Sequence, residues 1–357
     1  MAATKCLYLS HTGSYPRIGD STELQVLRRT TAAVDRGQAT QSDLRSAEDD
    51  MTRRAISDQA RAGVDFITDG MIRWYDPISH FAGKLAGVEI RGLLRFFDTN
   101  FYFRQPALIA RPTRGGPVLK HEYEFAREAL THLPSPHSES RTKVKQVLTG
   151  PYTLAKSSLS QDGATHDLAE RAGAYAEALA QEIGDLAAAG AEFIQIDEPA
   201  ILKYPADWAI LEQALVPLLR ARDQVVKSGE SLKLALYVYF RDCAPLYTRL
   251  VNLPFDAIGL DFTYNWALVE RISQEGSPRP LGLGLIDGRN TKLEDPATVA
   301  AQIEKMLAKI PGGVAYLGPS CGLEYLPRDR ALAKLGLLKQ SRAALMGMPV
   351  AASGGAQ

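Results

Sequence analysis

Eight short apolar runs, each stopping abruptly at a polar residue or a glycine, constrain this chain more than any other feature of its sequence. The first four are CLYLSHTGSY from Cys6, DFITDG from Asp65, KQVLTGPY from Lys145 and EFIQIDEPA from Glu192. The second four are KLALYVYF from Lys233, DAIGLDFT from Asp256, LGLGLIDGRN from Leu281 and VAYLGPSCG from Val314. A run that is apolar throughout reads as a strand buried on both faces, as parallel strands covered by helices are. The stretches between them have helical spacing. In DLAERAGAYAEALAQEIGDLAAAG, Leu168, Ala172, Tyr175, Leu179 and Ile183 recur at intervals of three and four, and Gly190 closes the segment. In DPATVAAQIEKMLAKI, Asp295 reads as an N-cap ahead of Pro296 at the first helical position. Eight strand and helix pairs close most simply into an α/β fold of the (β/α)8 TIM barrel type. A doubly wound open sheet is the alternative. No strand leads into a G-x-G-x-x-G turn, however, and the glycines of LGLGLIDG lie inside the run itself.

The length of 357 residues allows one large barrel as readily as two smaller domains. We read one barrel domain over 1–346, with an insertion at about 81–140 and a flexible tail over 347–357. The insertion contains VEIRGLLRFFDTNFYFRQPALIARP, rich in aromatic and β-branched residues, which predicts a β-hairpin after the second strand. The tail GMPVAASGGAQ and the residues Ala2 to Thr4 are small or polar and read as loose ends.

Charge narrows the partners. There are 41 Lys and Arg against 41 Asp and Glu, no run of five basic residues and no apolar stretch long enough to span a bilayer. Nucleic acid and membrane are therefore not expected partners. Three cysteines, Cys6, Cys243 and Cys321, form neither a disulfide framework nor a closely spaced ligand pair, which fits a reducing, cytoplasmic setting.

In a parallel barrel the active site lies at the C-terminal ends of the strands. The first polar residues there are Ser10, His11, Ser14 to Arg17, Thr68, Asp69, Thr149, Asp197, Glu198, Tyr237, Tyr239, Asp261, Asp287, Arg289, Asn290, Ser320 and Cys321. Five carboxylates gathered at one mouth repel each other unless a cation, an amine or a metal is present, which predicts a cationic or zwitterionic ligand. Plainer roles exist for the same residues. Asp197-Glu198-Pro199 can cap the next helix, Arg17 and Arg73 can be surface residues, and Cys321 can be an inert core thiol. Phe96, Phe97, Phe101, Tyr102 and Phe103 fit the core of the insertion.

Taken in order, HTGSYPRIGDSTEL, DGMIRWYDPISHF, LTGPYTLA, IQIDEPAIL, LPFDAIGLDF, LGLIDGRNTKLE and LGPSCGLEYLPRDRA resemble the cobalamin-independent methionine synthase family over nearly the whole chain. The resemblance implies a (β/α)8 methyltransferase that moves a methyl group from methyltetrahydrofolate, or from a methylated corrinoid protein, to the thiol of homocysteine. It implies zinc as cofactor, because a Lewis acid stabilises the thiolate nucleophile. Cys321 and Asp261 match two of the family's ligand positions. Tyr237 and Tyr239 stand where the other two, a His-x-Cys pair, are expected, and Asp242, Cys243 or His11 are candidates to complete a rearranged site. By analogy Ser14 meets the substrate carboxylate and Asp197 its ammonium group. The wider candidate set is Asp197 and Asp287 as catalytic residues, with Ser14, Arg17, Asp69, Arg73, Glu198 and Arg289 as substrate-binding residues. The opening SYPRIG and the strings LYVYFRD and DGRN look more like the family's amino-terminal barrel, which lacks zinc. That barrel's Arg-Glu-Leu-Lys grip on the folate tail is replaced here by Thr22-Glu23-Leu24-Gln25. Two alternatives follow from this mixture: a non-catalytic folate and amino-acid-binding barrel partnering a separate zinc-bearing barrel, and a decarboxylase like uroporphyrinogen decarboxylase.

Overall fold

The computed structural model describes residues 6–133, 142–160 and 167–348. The expectations for Ala2 to Thr4, for the end of the insertion over 134–140 and for the tail beyond Met348 lie outside the described residues.

In chain order the strands are β1 (Cys6–Leu9), β2 (Phe66–Ile67), β3 (Ala86–Arg95), β4 (Tyr102–Thr113), β5 (Lys143–Val144) and β6 (Gln146–Thr149). They continue with β7 (Leu159–Ser160), β8 (Phe193–Asp197), β9 (Lys233–Val238), β10 (Ala257–Asp261), β11 (Leu281–Ile286) and β12 (Val314–Pro319). The helices are α1 (Val26–Asp35), α2 (Gln41–Arg61), α3 (Ser79–Ala82), α4 (Lys120–Thr131), α5 (Pro151–Ser157) and α6 (Leu168–Ala188). The rest are α7 (Ala200–Lys203), α8 (Trp208–Lys227), α9 (Tyr247–Val251), α10 (Ala267–Glu275), α11 (Pro296–Leu307) and α12 (Arg328–Leu345). Each of the eight apolar runs contains a strand. No helix among the described residues is long and apolar enough to cross a membrane.

The chain divides into two compact units. In the unit built from the residues up to Ile72, those around Lys143 and those from Asn265 onward, β12 lies between β1 and β11, and both pairings are parallel. Register runs from Cys6 opposite Val314 to Leu9 opposite Leu317. A parallel bridge from Ser10 to Phe66 joins β2 to the end of β1. β2 is only two residues long because a side chain takes over its hydrogen bonding. The amide of Gln59 donates to the Thr68 carbonyl at 2.9 Å and accepts from the Thr68 N–H at 2.9 Å, ending the extended segment there. Helix α2 supplies Gln59 and buries Met51, Ala55 and Ile56 on the same side. Its start is fixed by a capping box between Thr40 and Asp43. Asp295 caps α11 by accepting from the Thr298 N–H, with Pro296 at the first helical position, as the sequence predicts.

In the second unit, Arg73–Thr131 and Val144–Tyr264, the strands β6, β8, β9 and β10 pair in that order, all parallel. Every residue of β6, β8 and β10 is buried, which accounts for the unbroken apolar runs. The predicted hairpin is β3 with β4, antiparallel from Ala86 opposite Thr113 to Arg95 opposite Tyr102, and β7 adds to β4 in parallel. Arg114 ties this insertion to α6 through Glu182 at 2.6 Å and Asp185 at 2.5 Å. The aromatic run divides: Phe96 and Phe103 are buried, whereas Phe101 and Tyr102 are exposed.

Gly259 lies in the middle of β10 with no room for a side chain, since a Cβ there would overlap the Tyr237 ring of β9. Gly259→Ala is expected to lower stability by about 1–3 kcal/mol through overpacking. Urea unfolding checks this, and adding Tyr237→Leu should restore part of the loss.

Candidate active site

The strongest concentration of buried polar chemistry lies where β6, β8 and β9 end. Asp197 is the last residue of β8, and Gln195 stands two positions earlier, so both side chains leave the same face of the strand. The Gln195 amide donates to Asp197 Oδ1 at 2.7 Å, and the Tyr239 hydroxyl donates to Asp197 Oδ2 at 2.9 Å. Beneath them Lys145, just ahead of β6, donates from Nζ to the side-chain amide oxygen of Gln195 at 2.7 Å. Its ammonium lies 5.2 Å from the Tyr237 ring centre and 5.8 Å from that of Phe193. Lys145 is 1% exposed and Asp197 6%. Burial pushes the Asp197 carboxyl up to about 7, against the Gln195 and Tyr239 hydrogen bonds and the nearby Lys145 charge. Burial also pulls the Lys145 ammonium down to about 7, against the attraction of Asp197. The two groups titrate as a pair, each favouring the other's charged form.

Glu198 faces a different way. Its carboxylate accepts from the Tyr152 N–H at 2.9 Å, the Thr153 N–H at 2.8 Å and the Thr153 hydroxyl at 2.6 Å, so it caps the start of α5. The acidic pair after β8 therefore does cap a helix, through Glu198, but the helix is the one after β6 rather than the next in sequence. Gly150 makes this approach possible, since a Cβ there would collide with the Glu198 carboxylate. Burial holds the Glu198 carboxyl up at about 8 despite these donors.

Asp261 ends β10 and shapes its own loop. Oδ1 accepts from the Thr263 N–H at 2.9 Å and the Thr263 hydroxyl at 2.6 Å, while Oδ2 accepts from the Phe240 N–H at 3.2 Å. Cys243 is a buried thiol that donates to the Asp261 carbonyl at 3.5 Å, and burial pushes its acidity well out of reach of neutral pH. Phe240 has a left-handed backbone, φ 75°, which a non-glycine residue adopts only under constraint. Its ring meets Phe96 and Phe97 of the hairpin turn at 5.8 and 5.4 Å and Tyr239 at 4.6 Å. The hairpin aromatics thus pack on the residue next to the Asp197 partner. Arg73 lays its guanidinium over the Phe125 ring at 4.5 Å.

In the other unit, the ends of β1, β11 and β12 bring Ser14, Gly288 and Cys321 together. A Cβ on Gly322 would overlap the Ser14 hydroxyl, and one on Gly288 would press on Cys321 Sγ at 3.0 Å. The Leu323 N–H donates to the Ser14 carbonyl at 2.7 Å, and the Gly288 N–H donates to the Ser320 hydroxyl at 3.2 Å. Cys321 is fully buried. Asp287 accepts from the Arg289 N–H at 2.9 Å, and both residues are half-buried. Asp69 accepts from the Met71 N–H at 2.9 Å in a turn where Met71 takes φ 51°. Arg17 donates to the Met71 carbonyl at 3.4 Å. Lys334 of α12 grips both oxygens of Glu294, at 2.8 and 2.9 Å, and Glu294 accepts from the Asp287 N–H at 2.8 Å, which anchors that loop.

Two residues of the Asp197 cluster escape a search of strand ends. Lys145 and Gln195 lie below the rim, inside the apolar runs. The readable signal is the polar pair Gln195 and Asp197 at alternate positions of FIQID, together with a lysine opening KQVLTGPY where a buried strand is about to begin.

Structural and catalytic zinc sites use at least three Cys, His or carboxylate ligands. Among the described residues no group of three or more His, Cys, Asp or Glu is placed to hold a metal ion. At the positions of the His-x-Cys pair, the Tyr239 hydroxyl is committed to Asp197 and the Tyr237 ring lies against Gly259 and Lys145. Both Asp261 oxygens accept loop hydrogen bonds, and Cys243 is a protonated core thiol. These residues do not fit the zinc that the resemblance implies.

Solved structures share the fold. A B12-independent methionine synthase from Shewanella sp. W3-18-1, described in complex with selenomethionine, superposes with a TM-score of 0.72 over 95% of this chain and 99% of that one, at 21% identity. A putative vitamin-B12 independent methionine synthase from Listeria monocytogenes gives 0.69 over 97% and 99%, at 19% identity. These likenesses define the class of the protein as an α/β fold of the (β/α)8 barrel type. The profile of the cobalamin-independent synthase catalytic domain matches residues 9–344. Methionine synthases from Sulfolobus acidocaldarius and Saccharolobus solfataricus are 31% and 30% identical over 329 and 332 residues, covering 90% of this chain and 87% and 90% of theirs. The chain belongs to the cobalamin-independent methionine synthase family, a family of methyltransferases.

Two outcomes are expected. Between about pH 4.5, the ordinary Glu value, and about pH 8, folded Glu198 keeps a proton that the unfolded chain has released. Its contribution to stability is therefore full below the lower value and is lost as pH rises through the upper one. Glu198→Gln should remove that component, and urea unfolding at pH 5 and pH 8 should show a flatter dependence in the variant. Protein purified without chelator should carry well under one zinc per chain by elemental analysis. Stoichiometric zinc that is lost in Cys321→Ser would reverse the reading of the donor set.

Proposed function

We propose that the chain transfers a methyl group from methyltetrahydrofolate to the sulfur of homocysteine, giving methionine, with a methylated corrinoid protein as the other candidate donor. In the folate reaction an S–CH3 bond forms, the N–CH3 bond breaks, and the thiol proton ends on the departing folate nitrogen. The observation that carries this reading is the buried Asp197 carboxylate at the end of β8, aligned by Gln195 and Tyr239. A carboxylate at 6% exposure whose protein hydrogen bonds come from neutral donors is suited to receive the ammonium group of an amino acid.

Asp197 thus binds and orients the acceptor, and Glu198 acts behind it by fixing the start of α5. In the other unit the Ser14 hydroxyl lies against Gly322. Arg17 and Asp69 hold the Met71 turn in one unit, and Arg73 lies over the Phe125 ring in the other. No step is assigned to a metal. Family membership favours methyl transfer over the decarboxylase alternative, and turnover by the isolated chain would reject the binding-barrel alternative.

Asp197→Asn is expected to raise KM for homocysteine roughly ten- to hundred-fold, the loss of one charge-assisted contact. The wild-type kcat/KM for homocysteine should fall as pH drops below about 7, where Asp197 gains its proton. The variant should lack that limb. Steady-state assays across pH 5.5–8.5 check both expectations, and an unchanged KM would remove the basis for the ammonium site.

A further inference from the structure

We infer that Lys145 is a positioning residue for amino-acid recognition, acting through Gln195 to keep Asp197 ready to take an ammonium group. The inference rests on the reading above that Asp197 meets the substrate ammonium. It assigns a part to two residues below the strand ends that the strand-end candidates do not include.

The two ends of a Gln side chain have nearly the same shape, so only its partners decide which way it points. Gln195 lies between a cation and a carboxylate. In its charged form Lys145 Nζ has donors and no acceptor, so at 2.7 Å it faces the Gln195 side-chain oxygen. The Gln195 NH2 is then turned toward Asp197 Oδ1, also at 2.7 Å. With Tyr239 donating to Oδ2, each Asp197 oxygen has one donor from the protein and keeps acceptor capacity for a ligand.

Without the Lys145 head group the Gln195 oxygen loses the donor that turns it away from Asp197. The flipped amide would set oxygen against oxygen, and Asp197 would relieve that by taking a proton. A neutral acid has little hold on an ammonium ion. The lysine charge acts in the same direction, because a cation beside Asp197 favours its ionised form.

The setting of Lys145 fits this part better than a packing role. Its ammonium lies near the Tyr237 and Phe193 rings and donates to the Gln195 side-chain oxygen, with Asp197 as the acidic partner through the amide. A buried cation is a poor means of filling a core, since an apolar chain of equal length avoids its desolvation cost.

The test compares the affinity of the full chain for L-methionine and for 4-(methylthio)butanoate, which is the same molecule without the amino group, by calorimetry. Wild type is expected to prefer methionine, and Asp197→Asn to lose most of that preference. If Asp197→Asn keeps it, the ammonium reading itself fails. Lys145→Met is expected to reduce the preference roughly ten- to hundred-fold while binding of the deaminated ligand changes little. A Lys145→Met protein that retains the preference while Asp197→Asn loses it would overturn the inference and leave the Asp197 reading standing. A parallel loss for both ligands would mean a purely structural lysine and would overturn it as well. Should Lys145→Met not fold, Gln195→Met carries the same expectation, and retained preference in that variant overturns the inference.

Discussion

The arrangement at the end of β8 depends on how two adjacent acids can leave a fully buried strand. Alternation sends their side chains to opposite sides, and each side meets a different solution. Glu198 is absorbed by the backbone, taking N–H groups of α5 that a helix start leaves without intrahelical partners. Asp197 receives only side-chain donors, from Gln195 and Tyr239, with a cation one hydrogen bond further away. Glu198 is tied to the start of α5, and Asp197 is the acid whose partners are side chains. Of two acids equally conspicuous in the sequence, packing thus makes one a structural anchor and the other the candidate binding group.

Much of the architecture was legible because buried parallel strands leave an unmistakable trace. All eight runs hold strands, the hairpin forms where β-branched and aromatic residues cluster, and Asp295 caps its helix with Pro296 in place. What the runs do not encode is where a strand stops when a distant side chain intervenes. β2 ends after two residues because Gln59, from α2, occupies the Thr68 backbone. The site was legible at its rim and hidden below it. Asp197 stands where an apolar run ends, but Lys145 and Gln195 lie within the runs and acquire meaning only once β6 and β8 are side by side. Likewise, no local pattern tells that Glu198 reaches across to α5, since that contact depends on the absence of a Cβ at Gly150.

The tyrosines of β9 show how a family position can be reused. Where the resemblance expects a metal-binding pair, Tyr237 packs against Gly259 and Tyr239 turns its hydroxyl to Asp197. The next residue, Phe240, is held in a left-handed backbone under the aromatic turn of the inserted hairpin. Keeping a phenylalanine at φ 75° costs on the order of 1–3 kcal/mol. The contacts with Phe96 and Phe97 are the evident means of offsetting it. The insertion is therefore part of the apparatus that sets the position of Tyr239.

Both units carry a buried lysine that acts through a single intermediary. Lys334 holds Glu294, which accepts from the Asp287 backbone, and Lys145 holds Gln195, which donates to the Asp197 carboxylate. The intermediaries differ in a way that matters. Glu294 pairs directly with its lysine, so the opposite charges offset each other and the loop is fixed without leaving a charge for a ligand. Gln195 is neutral and passes on orientation alone, so the charge of Asp197 is not cancelled at contact distance. A carboxylate at Gln195 would bind Lys145 more strongly and would confront Asp197 with a second anion, which is why an amide, the weaker partner for the lysine, is the residue that leaves Asp197 able to attract a cation.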